Sequence, residues 1–383
     1  MSDKPKTRLW MRVLLAVLPS LLLLGMLEIG GRLAGFRPET WSALDDRLGY
    51  RMSEPSQRFP VEAERADVLL LGDSITYPGY PVADTKQSFA DLLAGKGYEV
   101  INLSGIGYGT DQQLLLLERH LDELPPVHTV VVNFCLFNDF IDNVNEVNPH
   151  DGFRPKPYFE LVDDELAYRG DHLKFSTMDR FSLWVRQRSG AVYLIRRLLG
   201  MDRKQDRSAP SGAAAAPRRF RAQLTGGAPA APAYAAYRER VVAGLPVTRS
   251  LLQRIRDIAG ERLGAQRFVV MLHPTGYKPE SRPLLSLDDE LADYFAKIAE
   301  DTNSPMIGSV DLGCIYELDG VTYEQAAFDR VGHLTVEGHA RVADEIEGVI
   351  NLEEGRPLTE ESADCYPHLR SELKREAAVP DPR

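Results

Sequence analysis

In one stretch of the chain, an apolar run is followed by a glycine, an aspartate and a serine. It reads DVLLLGDSITYPG over residues 67–79, and Ser74 follows directly on a predicted buried strand, Val68–Leu71. A serine hydroxyl becomes a good nucleophile only when a neighbouring base accepts its proton, and histidine does this best near neutral pH. The stretch therefore indicates acyl-transfer chemistry, provided that the fold brings a histidine to Ser74.

The other predicted strands also end in residues that this chemistry needs. Parallel strands point their carboxyl ends to one edge of a sheet, where ligands bind. These ends carry a glycine turn, an amide, imidazoles and a carboxylate, which are the parts for oxyanion donors, a base and an orienting acid. The residues are Gly105, Gly107 and Gly109 in SGIGYGT, Asn138 and Asp139 in FNDF, His273, and Asp329, His333 and His339 in FDRVGHLTVEGH.

Taken singly, these motifs have simpler interpretations. Gly-Asp-Ser is most often a turn, in which Asp73 caps the backbone. SGIGYGT joins a strand to a helix, as dinucleotide loops do, but its third glycine is misplaced for that fingerprint and no lysine follows it. His273 and His339 are expected to be packing residues. Only the occurrence of several blocks in one order makes the chemical interpretation specific.

Four of the blocks resemble those of the GDSL/SGNH hydrolase family, namely GDSIT, NLSGIGYGTDQ, FNDF and DRVGHLTVEGH. They occur in the family's order, interrupted by an insertion at 150–235. The resemblance implies that Ser74 is the nucleophile and His333 the base. It further implies that Gly107 and Asn138 bind the oxyanion. It also implies a three-layer α/β/α sandwich, esterase or lipase-like activity, often on acetylated carbohydrates, and no metal or cofactor.

Two positions depart from the family's pattern. Leu136 stands where the third block usually has a glycine. Arg330 stands where the family has its aspartate, three residues before His333, and Asp329 lies one position further back. A bulge at Gly332 could let Asp329 reach the histidine, so we expect Asp329 to be the orienting acid. The alternatives are a backbone carbonyl, a remote carboxylate, or a serine–histidine dyad.

Strand and helix patterns alternate along the chain, which predicts a doubly wound, flavodoxin-like α/β fold with a parallel five-stranded sheet. The third strand pattern is almost continuously apolar, as in strands that are buried on both faces. The predicted strands are 68–71, 98–104, 128–137, 267–274 and 304–312, and the predicted helices are 87–97, 110–124 (capped by Thr110 or Asp111), 236–261, 288–300 and 335–350.

The insertion at 150–235 interrupts this alternation. Residues 157–170 predict a β-hairpin with Asp163 and Asp164 at its turn. Residues 178–200 predict an amphipathic helix or helix pair, whose basic and aromatic side chains fit either a membrane surface or the protein core. Residues 203–235 are rich in Ala, Pro, Gly and Arg and predict a flexible linker.

The N-terminus carries basic residues followed by an apolar run, Val13–Leu27. We expect an uncleaved signal anchor that holds the catalytic domain on the extracytoplasmic side of a membrane. A cleaved signal peptide and a buried helix are the alternatives. The predicted organisation is an anchor at 1–35, a polar connector at 36–66, a hydrolase domain at 67–352 and a charged tail at 353–383, which we expect to be loosely held.

Composition and cysteine content narrow the possible partners. The chain has 45 basic and 56 acidic residues and a net charge of −11, which argues against nucleic acid as a partner. Of its three cysteines, Cys135 is expected to be a buried apolar residue, whereas Cys314 and Cys365 could pair in an oxidising compartment.

These patterns lead to one functional hypothesis and two alternatives. We expect a serine esterase that acts through an acyl-serine intermediate on an ester-bearing small molecule or glycan, such as an acetylated sugar. The first alternative is an acyltransferase of the same fold. The second is a degenerate module that binds glycans without catalysis.

Overall fold

The computed structural model describes residues 9–36, 42–52, 64–77, 87–136, 139–148, 154–199, 231–273, 294, 306–327, 333–351 and 365. Its strands are β1 (Ser42–Asp45), β2 (Gly49–Met52), β3 (Ala66–Gly72), β4 (Val100–Ser104), β5 (Val127–Cys135), β6 (Val147–Asn148), β7 (Arg154–Pro155), β8 (Tyr158–Val162), β9 (Glu165–Arg169), β10 (Arg267–His273) and β11 (Met306–Asp311). Its helices are α1 (Leu9–Leu33), α2 (Phe89–Gly95), α3 (Thr110–His120), α4 (Asp139–Asp142), α5 (Thr177–Arg188), α6 (Gly190–Leu198), α7 (Ala231–Glu261), α8 (Leu312–Leu318), α9 (Tyr323–Ala326) and α10 (Val336–Ile350).

A five-stranded sheet forms the centre of the fold. Its strands lie in the order β11, β10, β5, β3, β4, and every neighbouring pair is parallel. The predicted parallel five-stranded sheet is therefore confirmed, with the strand order of flavodoxin-like folds. Because β3 is the first strand of the sheet and has neighbours on both sides, the connections leaving it and β5 diverge. This divergence opens a crevice at the carboxyl end of β3.

Helices cover both faces of the sheet. Side chains alternate across β3, so that Leu69 and Leu71 join one apolar core while Val68 and Leu70 join the other. The first core contains residues of α3 and α7, and the second contains residues of α2, α8 and α10. All four leucine and valine side chains are fully buried. These two cores give the three layers that the sequence predicts.

The segment expected to be a polar connector contains a β-hairpin. Strands β1 and β2 pair antiparallel, and the carboxylate of Asp45 accepts hydrogen bonds from the backbone of Arg47 and Leu48, each at 2.9 Å. Leu48 and Tyr50 are buried in the first apolar core. The connector interpretation is wrong for these residues, because two buried side chains in a polar segment leave no periodic signal.

The insertion forms most of its predicted elements. Strands β8 and β9 pair around Asp163 and Asp164, whose positive φ angles of 53° and 65° suit a tight hairpin turn. Helices α5 and α6 form the predicted helix pair. Helix α7 begins at Ala231, so the linker prediction is wrong for 231–235, while 203–230 lies outside the described residues.

The predicted cap of one helix needs correction, and most of another predicted helix lies outside the described residues. Gly109 is the N-cap of α3, rather than Thr110 or Asp111, because its backbone is extended while its carbonyl accepts from the backbone of Gln112 and Gln113, each at 3.0 Å. Of the predicted helix at 288–300 only Tyr294 is described, and its hydroxyl donates to the carbonyl of Leu245 at 2.6 Å.

A disulfide joins Cys314 to Cys365, as the sequence allows, and Cys135 is buried and outside the disulfide, as predicted. The backbone of Asp311 in β11 donates to the carbonyl of Cys365 at 2.8 Å. The tail was expected to be loosely held. At Cys365 this expectation is wrong, because the residue is buried and bonded to the edge of the sheet.

The apolar N-terminal run forms helix α1, which packs against α6. Glu28 makes this contact specific, since its carboxylate accepts hydrogen bonds from the backbone of Ala191 at 3.0 Å and the hydroxyl of Ser189 at 3.1 Å. Within the described residues, no helix has both the length and the hydropathy needed to cross a bilayer. The predicted transmembrane anchor is therefore not confirmed.

Candidate active site

The expected contact between Ser74 and His333 is present. Ser74 Oγ lies 2.8 Å from His333 Nε2, although 259 positions separate the two residues in the chain. Both side chains are buried, with 6% and 8% of their surface exposed. The pair lies at the carboxyl end of β3, in the crevice between diverging connections.

The turn that holds Ser74 is built from its neighbours' backbone. The carboxylate of Asp73 accepts from the backbone of Ile75 at 2.9 Å, and its carbonyl accepts from Thr76 at 3.2 Å and Tyr77 at 3.1 Å. Asp73 thus caps the turn, as expected from the sequence. Gly72 is required before it, because a Cβ at that position would collide with the side chain of Thr76.

Strand β4 fixes the far side of the same turn. The amide of Asn102 donates to the carbonyl of Thr76 at 2.9 Å, and the hydroxyl of Ser104 donates to the carbonyl oxygen of the Asn102 side chain at 2.6 Å. Both polar side chains are fully buried. Both residues belong to the NLSGIGYGTDQ block, but the sequence alone indicates no role for them. Their role appears only when β4 is placed beside β3.

His333 lies just ahead of α10. The next residue, Leu334, forms a β-bridge with Ala327, and Thr335 caps the helix by accepting from the backbone of Gly338 at 3.1 Å. The backbone of Thr335 also donates to the carbonyl of Ala326 at 2.9 Å. The chain that directly follows the histidine is therefore anchored to Ala326 and Ala327.

The glycine turn after β4 is tied to the serine turn. The backbone of Gly105 donates to the carbonyl of Gly72 at 3.2 Å. Gly107 adopts a φ of +70°, a left-handed conformation that favours glycine, and its carbonyl accepts from the amide of Asn148. This places Gly107, the predicted oxyanion donor, in a fixed loop on the same edge of the sheet as Ser74.

Two tyrosines clamp this loop against the N-terminal hairpin. The hydroxyl of Tyr108 donates to the carbonyl of Tyr50 at 2.8 Å, and the hydroxyl of Tyr50 donates to the carbonyl of Ile106 at 2.6 Å. Their rings meet edge to face, with centroids 5.3 Å apart. The hairpin at 42–52, which the sequence did not predict, thereby supports the glycine turn.

Two predicted site residues, Asn138 and Asp329, lie outside the described residues. The structure does describe Leu136 and Asp139, which precede and follow Asn138 in the chain. The carboxylate of Asp139 accepts from the backbone of Cys135 at 2.7 Å, and the backbone of Leu136 donates to the carbonyl of His273 at 3.4 Å. The roles of Asn138 and Asp329 stay predictions.

Buried carboxylates lie close to the serine–histidine pair. Burial raises the pKa of Asp73 to about 6, against the lowering effects of its hydrogen bond from Ile75 and of the nearby His333. Burial also raises the pKa of Asp139 well above its ordinary value, and repulsion by Asp73 adds to this effect. The crevice is therefore a region in which negative charge is costly.

Lys156 and Asp111 form a buried ion pair, which the sequence pattern does not predict. Lys156 Nζ donates to the carboxylate of Asp111, to the carbonyl of Asp142 at 2.7 Å and to that of Pro157 at 2.9 Å. Both charged side chains are fully buried. Burial outweighs the attraction of Lys156 and raises the pKa of Asp111 to about 6.

The two remaining histidines of the sequence blocks have structural contacts. His273 Nε2 lies 2.9 Å from Asn133 Oδ1, and His339 Nδ1 accepts from the backbone of Phe89 at 3.3 Å. Burial lowers the pKa of His273 to about 3 and that of His339 to about 4, so both are neutral at pH 7. These contacts agree with the packing roles expected from the sequence.

The arrangement brings a serine hydroxyl and an imidazole into hydrogen-bond contact. Such a pair can transfer a proton from the hydroxyl as its oxygen attacks an acyl carbon. Over the described part of the chain, no group of three or more His, Cys, Asp or Glu side chains is arranged to hold a metal ion.

Comparisons with known proteins add only a general likeness. No protein-family model matches the chain, and no curated protein matches it. Among solved structures, Axe2, an acetylxylan esterase from Geobacillus stearothermophilus, aligns with 15% identity and a TM-score of 0.34, over 77% of this chain and 98% of that one. A mutant of Axe2, described as an acetyl-xylooligosaccharide esterase, aligns with 16% identity and the same TM-score, over the same shares of the two chains. The similarity of this chain to these structures is too low to assign a reaction to it. Any assignment must therefore rest on the geometry of the site.

Proposed function

We propose that this chain is a serine esterase that cleaves O-acyl groups through an acyl-serine intermediate. The observation that carries the proposal is the 2.8 Å contact between Ser74 Oγ and His333 Nε2 at the carboxyl edge of the sheet. A buried serine hydroxyl that is hydrogen-bonded to an imidazole in a crevice is the minimal unit for acyl transfer.

In the proposed reaction, His333 accepts the hydroxyl proton of Ser74 as Oγ attacks the acyl carbon. The carbonyl electron pair moves to oxygen, and backbone donors such as that of Gly107 stabilise the oxyanion. Collapse expels the alcohol oxygen, which takes the proton from His333 and leaves acyl-Ser74. Water then attacks the acyl carbon while His333 accepts its proton. The second collapse releases the acid and returns the proton to Ser74.

The substrate proposed is an ester whose acyl group is accessible, such as an O-acetylated sugar. The resemblance of the four sequence blocks supports this choice, and the general likeness to an acetylxylan esterase is compatible with it. An extracytoplasmic location belongs to the same proposal. The Cys314–Cys365 disulfide supports it, because disulfides persist in oxidising compartments and are rare in the cytosol.

The experiment is hydrolysis of p-nitrophenyl acetate and acetylated sugars by the full chain, together with labelling by a fluorophosphonate probe. Ser74→Ala should abolish labelling and lower kcat by about 10³-fold or more. His333→Ala should lower kcat by about 10²- to 10⁴-fold, because it removes the base. Loss of activity should come without loss of the folded state, as measured by circular dichroism.

Two matched variants serve as controls. Ser182→Ala changes an exposed serine on α5, and His128→Asn changes a histidine near the start of β5, at the opposite edge of the sheet. Both should keep the parent's rate. Unchanged hydrolysis and labelling in Ser74→Ala would contradict the proposal, as would absent labelling with glycan binding intact. Acyl transfer to an added sugar in place of water would identify the transferase alternative.

A further inference from the structure

Helix α5 exposes an apolar stripe. The sequence alone did not decide whether these side chains pack in the protein core or face a membrane surface. Met178, Phe181 and Trp184 follow one another at three-residue spacing, so they lie on one face of the helix. They are 70%, 55% and 52% exposed. The rings of Phe181 and Trp184 stack with centroids 6.0 Å apart. This face is therefore not part of the protein core.

The stripe continues onto two neighbouring helices. On α6, Leu198 is 74% exposed, and Leu199 directly after the helix is 70% exposed. Glu28 of α1 joins α1 to the start of α6 through hydrogen bonds to Ser189 and Ala191. The three helices are therefore neighbours, and their exposed apolar residues are here called together the α1–α5–α6 face.

Helix α1 shows what kind of partner can cover this face. Its four consecutive residues Leu21–Leu24 are each more than half exposed. Successive helical residues point about 100° apart, so these four leucines cover the whole circumference of the helix. A protein groove would cover one side of such a helix, whereas lipid can surround it.

The charge of the face supports the same partner. Residues 177–199 contain five arginines and one acidic residue, although the whole chain has a net charge of −11. Arg186 and Arg197 are exposed, and the guanidinium of Arg188 lies 5.4 Å from the centroid of the Trp184 ring. Arginines beside exposed tryptophan and leucine are typical of helices that lie in a membrane interface.

We propose that the α1–α5–α6 face binds the interfacial layer of a bilayer containing anionic lipids. Trp184, Phe181 and Leu198 enter the headgroup and acyl boundary, and the arginines contact phosphate headgroups. The catalytic crevice would then be held at a fixed orientation to the membrane surface. The proposal does not depend on the reaction at Ser74.

The test measures the fluorescence of Trp184 in the full chain, bound to vesicles of phosphatidylcholine and phosphatidylglycerol. The chain has three tryptophans, so Trp10→Phe and Trp41→Phe leave Trp184 as the reporter. We expect a blue shift and at least about twofold quenching by brominated phosphatidylcholine. Replacing phosphatidylglycerol with phosphatidylcholine, or adding salt, should weaken the effect, because headgroup attraction is screened.

The control places the reporter elsewhere. In a chain with all three tryptophans changed to Phe, Leu318→Trp puts the probe at an exposed position of α8, in the catalytic domain. This reporter should stay unquenched in the same vesicles. Unquenched Trp184 in the vesicle-bound chain would overturn the proposal. A blue shift that appears without lipid and grows with protein concentration would overturn it as well, in favour of a second copy of the chain.

Discussion

At the scale of single residues, the site depends on side chains whose surroundings leave them one conformation. Ser74 is held in its turn by the hydrogen bonds of Asp73, and His333 by the bridge at Leu334 and the cap at Thr335. Since both partners are buried, water does not compete strongly for the 2.8 Å contact between them. The proposed proton transfer therefore requires no rearrangement of these two side chains.

Asp73 leads to a prediction about stability and pH. Burial raises its pKa from 3.8 to about 6, so the folded protein binds this proton more tightly than the unfolded chain does. Its contribution to stability is fully present below about pH 4 and is lost as the pH rises through about 6. As the pH rises from about 4 to about 6, the unfolding free energy of Asp73→Asn should therefore fall less than that of the parent. Urea denaturation at a series of pH values measures this difference.

Asp179 provides a control with the opposite sign. It is exposed, and hydrogen bonds from Ser176 lower its pKa, so its stabilising effect is present above about pH 4 and is lost on acidification. Asp179→Asn should therefore flatten the profile on the acid side only. Parallel profiles for the parent and Asp73→Asn would contradict the prediction for Asp73.

At the scale of elements, neighbouring segments hold the loops at the edge of the sheet. The hairpin β1–β2 clamps the glycine turn through Tyr50 and Tyr108, and Asn148 at the end of β6 holds Gly107. Lys156, just after β7, reaches Asp111 in the first turn of α3. The N-terminal hairpin, Asn148 and Lys156 therefore hold the glycine turn and the start of α3 from outside the sheet.

The buried pair of Lys156 and Asp111 gives the prediction at this scale. Lys156→Met leaves the carboxylate of Asp111 buried without its cation and should cost about 3–5 kcal/mol of unfolding free energy. The double variant Lys156→Met/Asp111→Asn should recover most of this loss, because neither charge remains buried. Denaturant unfolding of the four proteins completes the cycle.

An exposed pair is the matched control for this cycle. Arg169 and Glu160 lie 2.8 Å apart and are 42% and 49% exposed. Arg169→Met should change the unfolding free energy by less than about 1 kcal/mol. Equal losses at Lys156 and Arg169, or no recovery in the double variant, would show that the buried pair does not act as described.

At the scale of the whole molecule, three layers and one covalent link hold the fold together. Apolar cores on both faces of the sheet contain helices from distant parts of the chain. The Cys314–Cys365 disulfide ties the tail to the segment after β11 across 51 positions. The edge strand β11 of the sheet is thus linked to Cys365, which follows α10 in the chain.

Removing this disulfide should lower stability. A loop of this length contributes up to about 4 kcal/mol by restricting the unfolded chain. Cys314→Ser/Cys365→Ser should therefore unfold at lower denaturant concentration, and reductant should lower the parent's midpoint but not the double variant's. Cys135→Ala should keep the response to reductant. Alkylation of both bridge cysteines in unreduced chain from native cells would contradict the disulfide and the extracytoplasmic proposal together.

Much of the architecture was predictable because it has local signatures. Alternation of apolar strands and amphipathic helices predicts the sheet, and the paired aspartates at 163 and 164 predict a hairpin, whose turn has the positive φ angles such a turn needs. The hairpin at 42–52 and the pairing of Lys156 with Asp111 were not predictable. Their signals are single buried residues whose partners lie 45 or more positions away, as with Tyr50 and Tyr108 or Lys156 and Asp111.

The sequence by itself determined the five strands of the central sheet and their succession along the chain, because periodicity is a local property, and the resemblance of four blocks singled out Ser74 and His333. Only the tertiary structure decided that these two side chains touch, which neighbours hold them, and that Phe181 and Trp184 face outward. The physical reason is that burial and hydrogen-bond partners depend on contacts between distant segments. Such contacts exist only once the layers have packed against one another.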